Sequence, residues 1–199
     1  KHWNIYEAEH NPGEQYIFVS NHISYLDIPM MMKAIRHQHL RILGKAEMAT
    51  IPVFGFIYKQ GAVLVNRESP RQRLKSVENL IFFLQKKISV FICPEGTFNI
   101  KHHPLKSFYD GAFRIAIETQ KPIRPILFLD TYDRLNYKSI FSLNPGKCRA
   151  VYLPVTHTLG LTMKDVSSLR EKIYSQMEDG LMRYKGSWID PEIIIQAHA

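Results

Sequence analysis

At 199 residues, with 45% apolar and 12% aromatic side chains, the chain can bury one sizeable core, so one domain spanning residues 1–199 is expected. Its 26 basic and 18 acidic residues give a net charge of +8, which favours anionic partners: phospholipid surfaces, nucleic acid or phosphorylated small molecules. Cys93 and Cys148 have no second thiol at ligand spacing, which excludes a disulfide framework and a cysteine metal site and fits a reducing compartment.

In chain order, strand-like runs alternate with helical ones, the pattern of an α/β domain. The strands are expected at Tyr16 to Ser20, Leu40 to Leu43, Ala62 to Val65, Ile88 to Cys93, Ile123 to Leu129 and Cys148 to Leu153. The apolar run Met48 to Tyr58 is shorter than the roughly 18 residues of a membrane span. Within it, Ile51 to Tyr58 reads either as a bilayer-dipping or acyl-lining segment or as a buried core helix. The pair Ser69-Pro70 predicts a helix start, with Leu74, Val77, Ile81 and Leu84 at helical spacing facing the sheet. A second helix is expected from about Asp110-Gly111, burying Phe113, Ala116 and Ile117 and stopping before Pro122. The run Thr162 to Asp165 has capping-box form, followed by Val166, Leu169, Ile173 and Met177 on one face. The stretch Asp130 to Gly146 reads as a long surface loop. The chain opens at Lys1 rather than Met, which leaves room for an upstream membrane segment.

Four stretches carry chemistry. The run Asn21-His22-Ile23-Ser24-Tyr25-Leu26-Asp27 follows the first expected strand, so an imidazole and a carboxylate five positions apart can form a base and its orienter. On these residues alone, Asp27 before Ile28-Pro29 equally fits a helix N-cap. The strand Gly61 to Val65 runs into Asn66-Arg67, setting a guanidinium where it can fork onto phosphate oxygens, although this run alone reads more readily as a surface Arg after a strand. The apolar run Phe91 to Cys93 breaks into Pro94-Glu95-Gly96-Thr97, a turn with amide and hydroxyl donors for an anion or oxyanion. The two prolines of Lys121 to Phe128 frame a strand that reads as structural.

Taken in order, these pieces resemble the lysophospholipid acyltransferase family, which includes the 1-acyl-sn-glycerol-3-phosphate O-acyltransferases. The resemblance covers roughly Tyr16 to Leu181. It rests on H-x4-D at His22 and Asp27, G-x-(V/I)-x-(V/I)-(D/N)-R at Gly61 to Arg67, P-E-G-T at Pro94 to Thr97, and the strand Pro122 to Phe128. Gly44 to Met48 and Ile51 to Gly55 also look like the family's connecting segment. The resemblance implies a single domain with a mostly parallel central sheet flanked by helices. It also implies acyl transfer from acyl-CoA or acyl carrier protein to the hydroxyl of lysophosphatidate, giving phosphatidate, with no metal, no bound cofactor and no covalent acyl-enzyme.

On that basis His22 takes the acceptor's proton and Asp27 orients the imidazole, while Lys45, Arg67 and the Glu95-Gly96-Thr97 turn hold the anionic head group. The implied setting is the membrane surface, on its cytoplasmic face, with lysolipid and acyl donor as partners and no nucleic acid. One departure stands out: phosphatidate-forming members usually carry Arg after Glu-Gly-Thr, where this chain has Phe98. Lys106 or Arg71 are candidate replacements for that charge, and a lyso-aminolipid acceptor is the alternative. Two further rivals are a thioesterase or lipase and a non-catalytic lipid- or nucleic-acid-binding module. No Gly-x-Ser-x-Gly elbow supports a serine hydrolase, and His22 and Asp27 beside the Glu95 turn disfavour the module. The pairs His37/His39 and His102/His103 read as solvated loop histidines rather than metal ligands. Arg67, Arg71, Arg73 and Lys75 read either as phosphate contacts or as a solvated first helical turn.

Overall fold

A computed structural model describes residues 1–47, 62–65, 69–139 and 141–196. Among these, seven strands form one sheet: β1 (His2–Tyr6), β2 (Ile17–Ser20), β3 (Leu40–Lys45), β4 (Ala62–Val65), β5 (Ser89–Ile92), β6 (Ile123–Phe128) and β7 (Cys148–Tyr152). β2, β5 and β6 are buried at every position, the continuous apolar pattern of parallel strands covered on both faces. The strand order is β1-β7-β6-β2-β5-β3-β4. Every neighbouring pair is parallel except β6 and β7.

The helices are α1 (Asp27–Ala34), α2 (Pro70–Gln85), α3 (Gly111–Thr119), α4 (Thr131–Arg134), α5 (Val166–Arg183) and α6 (Pro191–Gln196). On one face, α2, α3 and α5 close the larger core, with Leu80, Leu84, Phe113, Ile173 and Met177 against Ile17, Val19 and Val90. On the other, Met30, Met31 and Ala34 of α1 pack on Phe18, Phe91, Ile126 and Tyr152. The capping box at Thr162 and Asp165 is present, on a 3-10 turn leading into α5, and α3 ends at Gln120 in the left-handed region ahead of Pro122.

Three expectations are corrected. β1 escaped the sequence reading because His-Trp-Asn-Ile-Tyr lacks the apolar density of the central strands, and it needs less as an edge strand paired only with β7. Of the positions expected to face the sheet from α2, Leu84 is buried and Val77 and Ile81 pack part-buried against the core, but Leu74 is 65% exposed. At 3.6 residues per turn, Leu74 stands roughly 120° around the helix from the buried Leu80, so the stripe begins after it. The stretch after β6 is not surface throughout, because Asp130 and Thr131 are buried.

Arg124 is fully buried in β6. Its guanidinium donates to the backbone oxygens of Ala8 at 2.8 Å and Glu9 at 3.0 Å and lies over the Tyr152 ring. A buried guanidinium holding two carbonyls fastens the segment after β1 to the sheet, which makes this motif structural.

Candidate active site

The three adjacent strands β6, β2 and β5 run parallel, so the loops after their carboxyl ends meet at one place, where sites form in open α/β sheets. The loop after β2 carries His22 and Asp27, the loop after β5 carries the Glu95 turn, and the segment after β6 carries Thr131. Asn21 locks two of these ends together: its amide donates to the Phe128 oxygen at 3.0 Å and accepts from the Phe128 nitrogen at 2.9 Å.

His22 Nδ1 lies 2.9 Å from Asp27 Oδ2. An ionised carboxylate only accepts, so Nδ1 carries the proton and Nε2 keeps its lone pair for use as a base. Asp27 is wholly buried and every one of its contacts is a donor. Oδ2 also accepts from the backbone nitrogens of Ile23 at 2.7 Å and Ser24 at 2.9 Å, and Oδ1 accepts from the Thr131 hydroxyl at 2.6 Å. Asp27 opens α1, with Leu26 at the N-cap. The helix start read from the sequence is therefore real, but the carboxylate turns back to His22 instead of capping. The imidazole remains 22% exposed, enough to be reached from outside.

After β5, Gly96 takes a φ of 74°, which a side chain would strain. The turn directs the Glu95 carboxylate inward. Its oxygens accept from the backbone nitrogens of His22 at 2.8 Å and Lys106 at 2.9 Å. Burial pushes this carboxyl up to about 8, while the two N–H bonds pull the other way. In this arrangement Glu95 ties the His22 loop to the turn. The cation at the turn is Lys106, whose Nζ donates to the Thr97 hydroxyl at 2.7 Å. Asn99 completes the loop, its backbone nitrogen donating to the His22 oxygen at 2.9 Å.

Aromatic rings flank the imidazole. The Phe98 centroid is 4.4 Å from that of His22, with Tyr25 at 5.0 Å and Tyr137 at 6.3 Å from Phe98. The backbone of Lys45 ends β3 at the same carboxyl edge of the sheet. Arg67, Gly61, Asn66 and the run Met48 to Tyr58 lie outside the described residues. Beside the turn, a cavity of about 350 Å³ opens between α2 and α3, lined by Leu43, Val77, Leu80, Pro94, Gly96 and Ala112. Elsewhere, His102 Nδ1 donates to the Trp188 oxygen at 2.9 Å, which makes it a structural residue.

Thr131 went unnoticed in the sequence, where it sat at the head of an apparent surface loop. The available signal was its place three residues beyond β6, the strand that pairs with β2.

An imidazole backed by a buried carboxylate thus sits at the carboxyl edge of a parallel sheet, next to a turn with a cation. The family model described as Acyltransferase matches residues 2–129, and the chain belongs to that family. It is 30% identical over 173 residues to the 1-acyl-sn-glycerol-3-phosphate acyltransferase alpha of Mus musculus, covering 85% of this chain and 60% of that one. It is 33% identical over 136 residues to the chloroplastic 1-acyl-sn-glycerol-3-phosphate acyltransferase BAT2 of Brassica napus, covering 68% and 39%. The chain thus spans about 60% of the length of the first and less of the second. The crystal structure of the 1-acyl-sn-glycerophosphate (LPA) acyltransferase PlsC from Thermotoga maritima superposes with a TM-score of 0.76 at 21% identity, covering 94% of this chain and 74% of that one. At that identity the likeness concerns the fold.

Proposed function

We propose that this chain transfers a fatty acyl group from acyl-CoA or acyl carrier protein to the free hydroxyl of lysophosphatidate, forming phosphatidate. The observation that carries the reading is the His22–Asp27 pair, with Nδ1 proton-bearing and Nε2 available. His22 Nε2 takes the hydroxyl proton as the oxygen attacks the thioester carbonyl, and Asp27 balances the imidazolium. Collapse of the tetrahedral intermediate breaks the C–S bond, and the imidazolium returns the proton to the departing thiolate. The protein forms no acyl ester of its own, and the thioester already carries the activated group.

Lys106, held on Thr97, is the described cation nearest the turn, and Lys45 and Arg67 are proposed to join it on the phosphate. The cavity lined by Leu80 and Ala112 gives an acyl chain apolar surroundings. No helix among the described residues is long and apolar enough to cross a membrane. In this reading the described residues meet a membrane surface, on its cytoplasmic side, through charge and apolar surface contacts.

One observation favours a second acceptor. Phe98 against His22 puts a ring where phosphatidate-forming members usually place a guanidinium, which suits a less phosphorylated acceptor such as a lyso-aminolipid. Incubation with labelled acyl donor and both acceptors decides between them. Lysophosphatidate acylation without aminolipid activity is the expected result; the reverse overturns the first reading in favour of the second.

A further inference from the structure

We propose that Thr131 is a positioning residue for the His22–Asp27 pair, an inference that rests on the acyltransferase reading. Asp27 Oδ2 is saturated by three N–H donors, whereas among the described residues the hydrogen-bond partner of Oδ1 is the Thr131 hydroxyl at 2.6 Å. Both groups are fully buried, so without the hydroxyl Oδ1 would face the interior unsatisfied, a state a carboxylate relieves by rotating. Rotation about the bond to the carboxyl carbon moves Oδ2 off Nδ1 and frees the imidazole to turn or change tautomer.

The hydroxyl arrives with little freedom, because its segment is anchored on both sides. Upstream, the end of β6 is clamped by the Asn21 side chain at Phe128. Downstream, the Ser24 hydroxyl donates to the Leu135 oxygen and Ser24 forms a bridge with Asn136. The segment after β6 is thus fastened to the loop after β2 at three points, and the middle one lands on the carboxylate. Second partners of this kind hold a functional histidine and its carboxylate in register, and losing one typically costs about 10–100-fold.

The test compares Thr131→Val, which keeps the shape and removes the donor, with Thr131→Ser, which keeps the donor, and Thr131→Ala. The Val and Ala variants should lose about 10–100-fold in kcat with acceptor KM unchanged, and the Ser variant should stay close to wild type. Proton NMR supplies a readout independent of turnover. The downfield His22 Nδ1 proton should persist in wild type and the Ser variant, and should shift or exchange away in the Val variant. A wild-type kcat in folded Thr131→Val, or an unaltered His22 signal, overturns the proposal. If the Val variant does not fold, the Ser and Ala variants decide, equal kcat values overturning it. If wild type transfers to no lysolipid, the acyltransferase reading fails while the NMR comparison still judges Thr131.

Discussion

In the proposed mechanism, chemistry depends most directly on His22 and Asp27. His22→Ala is expected to lower transfer by about two to four orders of magnitude, the usual worth of a general base, with the fold intact because the imidazole is partly exposed. Asp27→Asn should be severely impaired, since an amide presents an N–H to a site that offers donors from Ile23, Ser24 and Thr131. Near-normal turnover in a folded His22→Ala protein would remove the mechanism. Glu95 adds a pH effect on stability. Its carboxyl titrates at about 8 in the fold against 4.5 as the ordinary value, so the folded state holds the proton more tightly. That contribution is complete below about pH 4.5 and is lost as pH rises through about 8. Glu95→Gln cannot titrate. The melting temperature of wild type should therefore fall relative to that of Glu95→Gln between about pH 5 and about pH 9, and a constant difference would contradict the assignment.

At the scale of elements, α5 lies close against the sheet at Gly180. A Cβ at Gly180 would meet the Leu127 side chain at 2.7 Å and that of Leu153 at 3.2 Å, both fully or nearly fully buried in β6 and just after β7. In a free helix, replacing glycine gains up to about 1 kcal/mol, but here there is no room. Gly180→Val is expected to destabilise the protein by about 1–3 kcal/mol, the range of overpacked cores, as measured by chemical unfolding. A stabilised variant would mean that α5 lies farther from β6. The turn after β5 offers a second test. Phe98→Arg puts a guanidinium beside His22 and Lys106, and should shift acceptor preference towards the phosphate. An unchanged ratio would remove Phe98 from specificity.

For the whole molecule, the net charge of +8 sets the long-range field. The outer face of α2 adds exposed Leu74 and Phe82 among Arg71, Lys75 and Lys86, all exposed. The chain should bind anionic vesicles and release them as salt rises, because the attraction is screened over about 8–10 Å at ordinary ionic strength. Co-sedimentation measures this; equal, negligible binding to neutral and anionic vesicles would remove charge-driven surface contact from the account.

The class of fold and the pairing of His22 with Asp27 were determined by the sequence itself. Short continuous apolar runs bounded by turn residues read as strands covered on both faces, and an imidazole with a carboxylate five positions on stays within one short segment whatever the rest of the chain does. The stripes of α3 and α5 were legible for the same reason, being periodic and local. What lies between elements was decided by the tertiary structure alone. Thr131 is 104 residues from Asp27 and becomes its neighbour only because β6 pairs with β2. Glu95 reads as a turn residue facing a ligand until the pairing of β2 with β5 brings the His22 amide to its carboxylate. In α2 the spacing found Val77, Ile81 and Leu84, which pack on the core, but where that stripe begins depends on where the sheet lies, and Leu74 falls outside it.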